Sequence, residues 1–213
     1  MDKNLNYVYQ KQIEKTIKAL EKNNMNGYFI KSKEELIEKL NELVKKDSVV
    51  ACGGSQTLFE TGIIDFLRSG EFNFLDRYKE GLSSSDIKDI YIKSFSSDVY
   101  FTSTNAITEN GELYNVDGNG NRVAAMLYGP EKVIVICGKN KIVKDIESAI
   151  NRNKFISAPA NAKRLHINTP CKVSGECMDC NSNDRICCEY TVIKRQRNKD
   201  RIHVMFLNED FGY

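Results

Sequence analysis

The chain has 213 residues, 41% of them apolar, and sets 31 basic side chains against 29 acidic ones for a net charge of +2. That apolar share suffices for the core of one domain and excludes wholesale disorder. Balanced charge excludes a protein built around nucleic-acid phosphates, and no run is long and apolar enough to span a membrane, so neither partner is expected.

The opening MDKNLNYVYQKQ has no apolar stretch of signal-peptide type, so the expected compartment is the cytoplasm. Residues 3–23 carry Ile13, Ile17 and Leu20 at helical spacing. Tyr28-Phe29-Ile30 reads as a short strand. Ser32 then caps a helix, with Glu35 completing a capping box and Leu36, Leu40, Leu43 and Val44 on the buried face. A second strand, 48–52, ends in Gly53-Gly54. Helices are predicted over 58–68 and 86–94, with strands at 73–75 and 98–101. The run 132–137 is the most apolar strand, and 140–152 presents Ile142, Ile146, Ala149 and Ile150 as one helix face. Strands alternating with helices through short glycine-bearing turns predict an α/β fold with a mostly parallel sheet covered on both faces. The tail reads as strands 190–193 and 202–207, an antiparallel edge around the basic run Lys194, Arg195, Arg197, Lys199 and Arg201, which is expected to be a solvated hairpin tip.

Small molecules bind beyond the carboxyl ends of strands in open α/β sheets, and three loops fit that position. In Cys52-Gly53-Gly54-Ser55-Gln56-Thr57 a strand turns directly into a helix. The glycines permit close backbone approach and the helix-start amides suit an anion; a tight turn capped by Ser55 is the competing reading. The polar stretch 102–122 offers Glu109 and Asp117 as acid/base groups and Arg122 as a carboxylate or phosphate clamp, against a plain hairpin whose Asn, Asp and Gly satisfy turn geometry. Gly118 and Gly120 lack the third glycine of a dinucleotide fingerprint. Gly138-Lys139-Asn140-Lys141 has Val143 where guanine recognition needs Asp; Lys139 or Lys141 either faces the cleft or is simply solvated. Cys52 reads as a buried small residue and His203 as structural.

Five of the seven cysteines fall between residues 171 and 188, as C-x5-C-x2-C-x6-C-C. Two thiols at C-x2-C bind one metal from a single turn, and flanking thiols complete four-fold coordination. A cytosolic chain keeps its thiols reduced, and seven is an odd number, so disulfides rank last and redox thiols second. Cys171, Cys177, Cys180 and Cys187 are the expected ligands, of an iron–sulfur cluster or alternatively zinc. The spacing lies near the plant-type C-x4-C-x2-C order, which favours iron–sulfur. Lys172 and Arg185 can offset the negative charge of four thiolates.

Taken together, G-G-S-Q-T-L, T-S-T-N-A-I-T-E-N-G-E-L, D-G-N-G-N-R-V-A, Y-G-P-E-K-V-I-V and G-x-N-K-I-V resemble the lactate utilization (LUD) domain family, and P-C-x5-C-x2-C-x6-C looks like the tail of a cysteine-rich branch. The resemblance implies a single domain over 1–213, including the cysteine-rich segment at about 168–190, with a three-layer sandwich like ribose-phosphate isomerases and CoA transferases. It also implies a cleft lined by Gly53, Gly54, Ser55, Thr57, Asn105, Thr108, Glu109, Gly111, Asp117, Gly118, Gly120, Asn121 and Arg122. The function it implies is binding of a small organic acid or phosphorylated metabolite and support of its oxidation with an iron–sulfur partner protein. A zinc-stapled isomerase- or transferase-like enzyme and a non-catalytic ligand-binding accessory subunit are the alternatives.

Overall fold

The computed structural model describes residues 2–213. Helix α1 (Lys3–Lys22) precedes β1 (Asn26–Ile30), α2 (Lys33–Leu43) and β2 (Val49–Cys52). Then come α3 (Gln56–Glu60), α4 (Ile63–Leu67), β3 (Asn73–Leu75), α5 (Ser84–Lys93) and β4 (Val99–Thr102). A hairpin of β5 (Ala106–Thr108) and β6 (Leu113–Asp117) leads into α6 (Asn121–Leu127) and β7 (Lys132–Gly138). The remainder is β8 (Ile142–Val143), α7 (Ile146–Arg152), a π-helical turn (Asn153–Ser157), α8 (Ala158–Arg164), α9 (Cys171–Ser174), β9 (Glu189–Ile193) and β10 (Ile202–Leu207).

Six strands form the main sheet in the order β1-β10-β7-β4-β2-β3, every neighbouring pair parallel. Alternation of side chains along each strand assigns the two faces. Ile134 and Ile136 of β7 join one core with Val50, Phe101, Met205 and the α2–α4 residues Leu36, Leu40, Leu58 and Ile64. Val133, Val135 and Cys137 join the other, with Ile13 and Leu20 of α1, Ala125 and Met126 of α6, and Ile107 and Leu113. Ile107 and Leu113 belong to a smaller sheet, β8-β5-β6-β9, that packs over this second face. The α/β architecture with a mostly parallel sheet follows from the sequence pattern.

Local chemistry sets the element ends. Ser32 accepts from the Glu35 amide at 3.2 Å, while the Glu35 carboxylate turns to the Lys31 amide at 2.7 Å and leaves the capping box half-made. The helix expected over 58–68 is two, broken at Gly62, which sits at φ +77°. The helix expected from residue 140 begins only at Ile146, capped by Asp145; Ile142 belongs instead to β8 beside β5.

The tail needs the largest correction. β9 and β10 do not pair with each other: β9 extends the small sheet beside β6, and β10 lies between β1 and β7 inside the main sheet. Every residue of β10 is buried, with Val204 and Phe206 on one face and Met205 and Leu207 on the other. That two-sided apolar character belongs to a central parallel strand rather than an edge. The basic turn is solvated as expected at Lys194, Arg195, Arg197 and Lys199, but it is no hairpin tip and is anchored at two points. Arg195 donates to the Lys22 carbonyl, and Arg201 caps the end of α6 through the carbonyls of Ala125, Met126 and Pro130.

Candidate active site beside a thiol-lined cavity

The carboxyl ends of β2, β3, β4 and β7 open into a cleft of about 230 Å³ between the two sheets. Gly54 and Ser55 enter it after β2, Arg77 after β3, Ser103, Thr104 and Asn105 after β4, and Lys141 after β7. Asp117, Gly118, Asn121 and Arg122 close one side, and Ser157, Asn161 and Arg164 the other. Four cationic side chains line this space against a single acidic side chain, Asp117. Such an imbalance favours a small anion.

Arg122 organises one wall. Its Nε donates to Asp117 Oδ1 at 2.9 Å, Nη1 to the Ser103 carbonyl and Asn115 Oδ1, and Nη2 to Asn105 Oδ1 and the Val116 carbonyl. These contacts use all five guanidinium donors. The second Asp117 oxygen accepts from the Val123 amide at 3.0 Å. Arg122 therefore has no donor left to clamp a substrate, and Asp117 is held as its counter-ion rather than free as an acid or base. Gly53 packs under this network, where an added Cβ would lie 2.8 Å from Arg122 Cγ.

The guanidinium donors that remain are those of Arg77 and Arg164. Among the described residues neither forms an ion pair. Arg77 lies over the rings of Tyr78 and Tyr91, at 5.3 and 4.7 Å from their centroids, which holds its plane while leaving its edge free. Arg164 is oriented by two hydrogen bonds to Asn161 Oδ1. Neither arginine was singled out in the sequence; each stands in an ordinary polar stretch, and only the fold brings them together.

Lys141 is 2% exposed and donates to Thr57 Oγ1 and Ser103 Oγ, both at 2.9 Å. Burial pushes its amine down to about 7, with Arg152 and Arg122 acting in the same direction. Of the two sequence readings for this lysine, the cleft-facing one describes its position. Thr57 thus lies beneath the cleft as a partner of Lys141.

The other residues expected at the site stand elsewhere. Glu109 pairs with Lys15 of α1, and its amide donates to the Val143 carbonyl. Thr108 is buried against Glu112. Gly111 turns the β5–β6 hairpin at φ +76°, where a Cβ would meet the backbone of Ala19 and Leu20 at 2.7–2.8 Å. Gly120 caps the start of α6. In this structure Thr108, Glu109 and Gly111 belong to the hairpin and its packing and Gly120 to the start of α6, and none of the four lines the cleft.

Below the cleft, Cys171, Cys177, Cys180 and Cys187 all line one apolar cavity, with Ala158, Thr169, Met178, Arg185 and Ile186. All seven cysteines are free. Cys188 faces outward, while its amide donates to the Asp117 carbonyl at 2.8 Å. Arg185 organises the loop by donating to the carbonyls of Cys180 and Cys187 and to Asp179. Cys52 is buried, its thiol pushed up to about 12, which suits packing rather than reaction. Burial of Cys187 likewise raises its thiol to about 11, helped by Cys177 and Cys171 nearby. Among the described residues, no three His, Cys, Asp or Glu side chains stand close enough to share one metal ion. His203 stacks on Tyr28 and hydrogen-bonds it at 3.0 Å.

Two features join the cavity to the cleft. Ile186 lines both. The π-helical turn sends Ser157 into the cleft while the Lys154 carbonyl accepts from the Cys177 amide at 2.9 Å. Such π segments recur at functional sites because they shift the phase of the helix that follows.

These observations define an α/β protein with a cationic cleft at the carboxyl edge of its sheet. The model of the LUD domain matches residues 13–207, and the chain belongs to that family. Membership suggests a lactate-utilization-related function. The fold is similar to the crystal structure of a DUF162 family protein from Deinococcus radiodurans, at 13% identity and a TM-score of 0.51, covering 95% of this chain and 98% of that one. Ribose 5-phosphate isomerase from Plasmodium falciparum matches at 18% identity and a TM-score of 0.31, over 53% of this chain and 52% of that one. eIF2B delta from Chaetomium thermophilum matches at 19% and 0.36, over 54% and 49%. At those scores neither carries an argument. No curated protein matches the sequence. Among the described residues, no helix is long and apolar enough to cross a membrane.

Proposed function

We propose that this LUD protein binds a small organic acid, of the 2-hydroxy acid type or a phosphorylated relative, and supports its oxidation beside an iron–sulfur cluster. One observation carries the reading: the cationic cleft and the cavity lined by four free thiols share Ile186 as a common wall. Cys171, Cys177, Cys180 and Cys187 fit a cluster by their chemistry, four unpaired soft ligands in an apolar cavity with Arg185 beside them to offset negative charge. Bound there, a cluster supplies one-electron transfer, with an iron–sulfur partner protein as acceptor. Zinc is the second reading, since four thiolates also hold one zinc ion; the cysteine spacing, close to the plant-type order, favours the cluster.

The chain's own residues do the rest. Arg77 and Arg164 bind the carboxylate or phosphate, with Asn161 fixing the second of them. Arg122 and Asp117 keep the wall rigid. Lys141 is the cleft group brought by burial into the range where protons move near neutrality. Proton transfer is accordingly assigned to Lys141, not to Glu109 or Asp117.

Calorimetric titration of the anaerobically purified protein with lactate, glycolate and inorganic phosphate tests the binding step. Saturable binding of at least one is expected, weakened about tenfold or more by Arg77→Gln with Arg164→Gln, the loss of about 1.5–3 kcal/mol per charge-assisted hydrogen bond. Absence of saturable binding by any small carboxylate or phosphate contradicts the reading.

A further inference from the structure

The hydrogen bonds around Lys141 leave its amine one unused direction. Thr57 Oγ1 gives its proton to the Phe211 carbonyl at 3.2 Å, and Ser103 Oγ gives its own to the Ile136 carbonyl at 2.7 Å. Each hydroxyl therefore meets Lys141 Nζ only as an acceptor, at 2.9 Å in both cases. A neutral amine has two N–H bonds, and these oxygens take both. Its lone pair is left without a partner, on a side chain that lines the cleft.

A lysine kept for structure is ordinarily charged and paired with a carboxylate. Lys141 has none within hydrogen-bond reach among the described residues; the cleft's single acidic side chain, Asp117, is committed to Arg122 and the Val123 amide. The charged groups that act on it are Arg152 and Arg122, which disfavour its protonated form, and Cys137 and Glu60, which favour it. Burial outweighs all of these, so a large fraction of the amine is unprotonated at neutral pH. An uncharged lysine in a buried site is a nucleophile toward carbonyl carbon.

We propose that Lys141 forms an imine with a small 2-oxo acid whose carboxylate is held by Arg77 and Arg164. The inference rests on the anion-cleft reading and names the substrate class for that site, the carbonyl form produced when a 2-hydroxy acid is oxidised. The Nζ lone pair attacks the carbonyl carbon and a C–N bond forms. The C=O π pair moves to oxygen, which takes one amine proton to give a carbinolamine. Its hydroxyl leaves as water with the second amine proton, and the nitrogen lone pair moves in to leave C=N. One water is released and nothing is oxidised or reduced, so the step needs no further reactant. Thr57 and Ser103 position the amine, and the arginines fix the acid at its other end.

The full-length protein is incubated with pyruvate, reduced with sodium borohydride, digested and mapped by mass spectrometry, with lactate as the parallel control that has no carbonyl. Pyruvate and lactate affinities are measured on the same preparation. One reduced adduct on Lys141 is expected with pyruvate and none with lactate, in a yield that climbs as pH rises through about 7. Lys141→Met removes the amine without adding a buried charge and is expected to lose the adduct; if that variant does not fold, the map of the native chain still decides. Saturable pyruvate binding without an adduct, or adducts spread over exposed lysines such as Lys15, overturns the imine and leaves the anion cleft standing. Absence of both binding and adduct overturns the two together.

Discussion

Burial acts on Arg122 and Lys141 in opposite ways, although both are nearly excluded from solvent. Arg122 has an acceptor for every donor and a carboxylate beside it, so its charge is compensated in place. Lys141 has two neutral hydroxyl acceptors, and its charged form bears the cost of desolvation. The consequence for stability has a definite sign. A lysine whose amine falls from 10.5 to about 7 on folding leaves the unfolded chain binding more protons between those values. Stability therefore rises with pH across that window, and the penalty is full below it. Above about 9 the buried thiols of Cys52 and Cys137, raised to about 12 and about 11, oppose the trend, which confines the clean interval to roughly pH 7–9. Urea denaturation at pH 7 and pH 9 is expected to show the native chain gaining stability. Lys141→Met should be more stable than the native chain at pH 7 and lack that part of the gain. Parallel pH dependence in the two proteins contradicts the assignment. The sequence showed Lys141 only as a residue in a loop after a strand. Its burial comes from the short turn Lys139–Lys141 and from Thr57 and Ser103, each distant along the chain.

Among the elements, β7 and β10 show what hydrophobic pattern can and cannot convey. The run 132–137 is apolar on both faces and is buried throughout apart from the partly exposed Lys132, so the pattern specified its place in the sheet. The equally apolar 202–207 was placed at an edge because the basic turn before it looks like a hairpin tip. The pairing was decided instead by non-local contacts with β1 and β7, which no local pattern encodes. The π-helical turn left no mark in the sequence either; the helix pattern over 140–152 gave no sign of the change of phase that carries Ser157 and Arg164 to the cleft. A second element-scale contact is open to test. The strand-end residue Gly118 lies under the loop 182–188, where an added Cβ would sit 3.3 Å from Ile186 Cα. Gly118→Val forces that loop outward at a cost of about 1–3 kcal/mol, because packed interiors resist added volume. Loss of most of the bound iron is expected while circular dichroism still reports the folded sheet. Full iron retention in this variant contradicts the coupling between loop and cavity.

For the molecule as a whole, the cationic cleft and the thiol cavity are adjoining halves of one region. Ile186 is shared, the Cys188 amide is tied to Asp117, and the Lys154 carbonyl is tied to Cys177. The common cavity of the cysteines was legible because residues close in sequence, such as Cys177 and Cys180, share one turn wherever it lies. The cleft was half-legible. Gly54, Ser55, Asn105, Asp117, Gly118, Asn121 and Arg122 follow strand ends and do line it, whereas Arg77 and Arg164 come from distant segments. Segment 171–188 lies between α8 and β9, so the chain completes its cysteine loop before returning to the sheet centre as β10. A cluster in that loop is thus expected to support the cleft wall without being required for the parallel sheet. The most direct test is iron, sulfide and zinc analysis with a visible spectrum on anaerobically purified protein, comparing the native chain with Cys180→Ser and Cys188→Ser. The expected result is a brown protein holding about four irons with matching sulfide, lost in Cys180→Ser and kept in Cys188→Ser. A colourless native protein carrying one zinc and no iron would contradict the account.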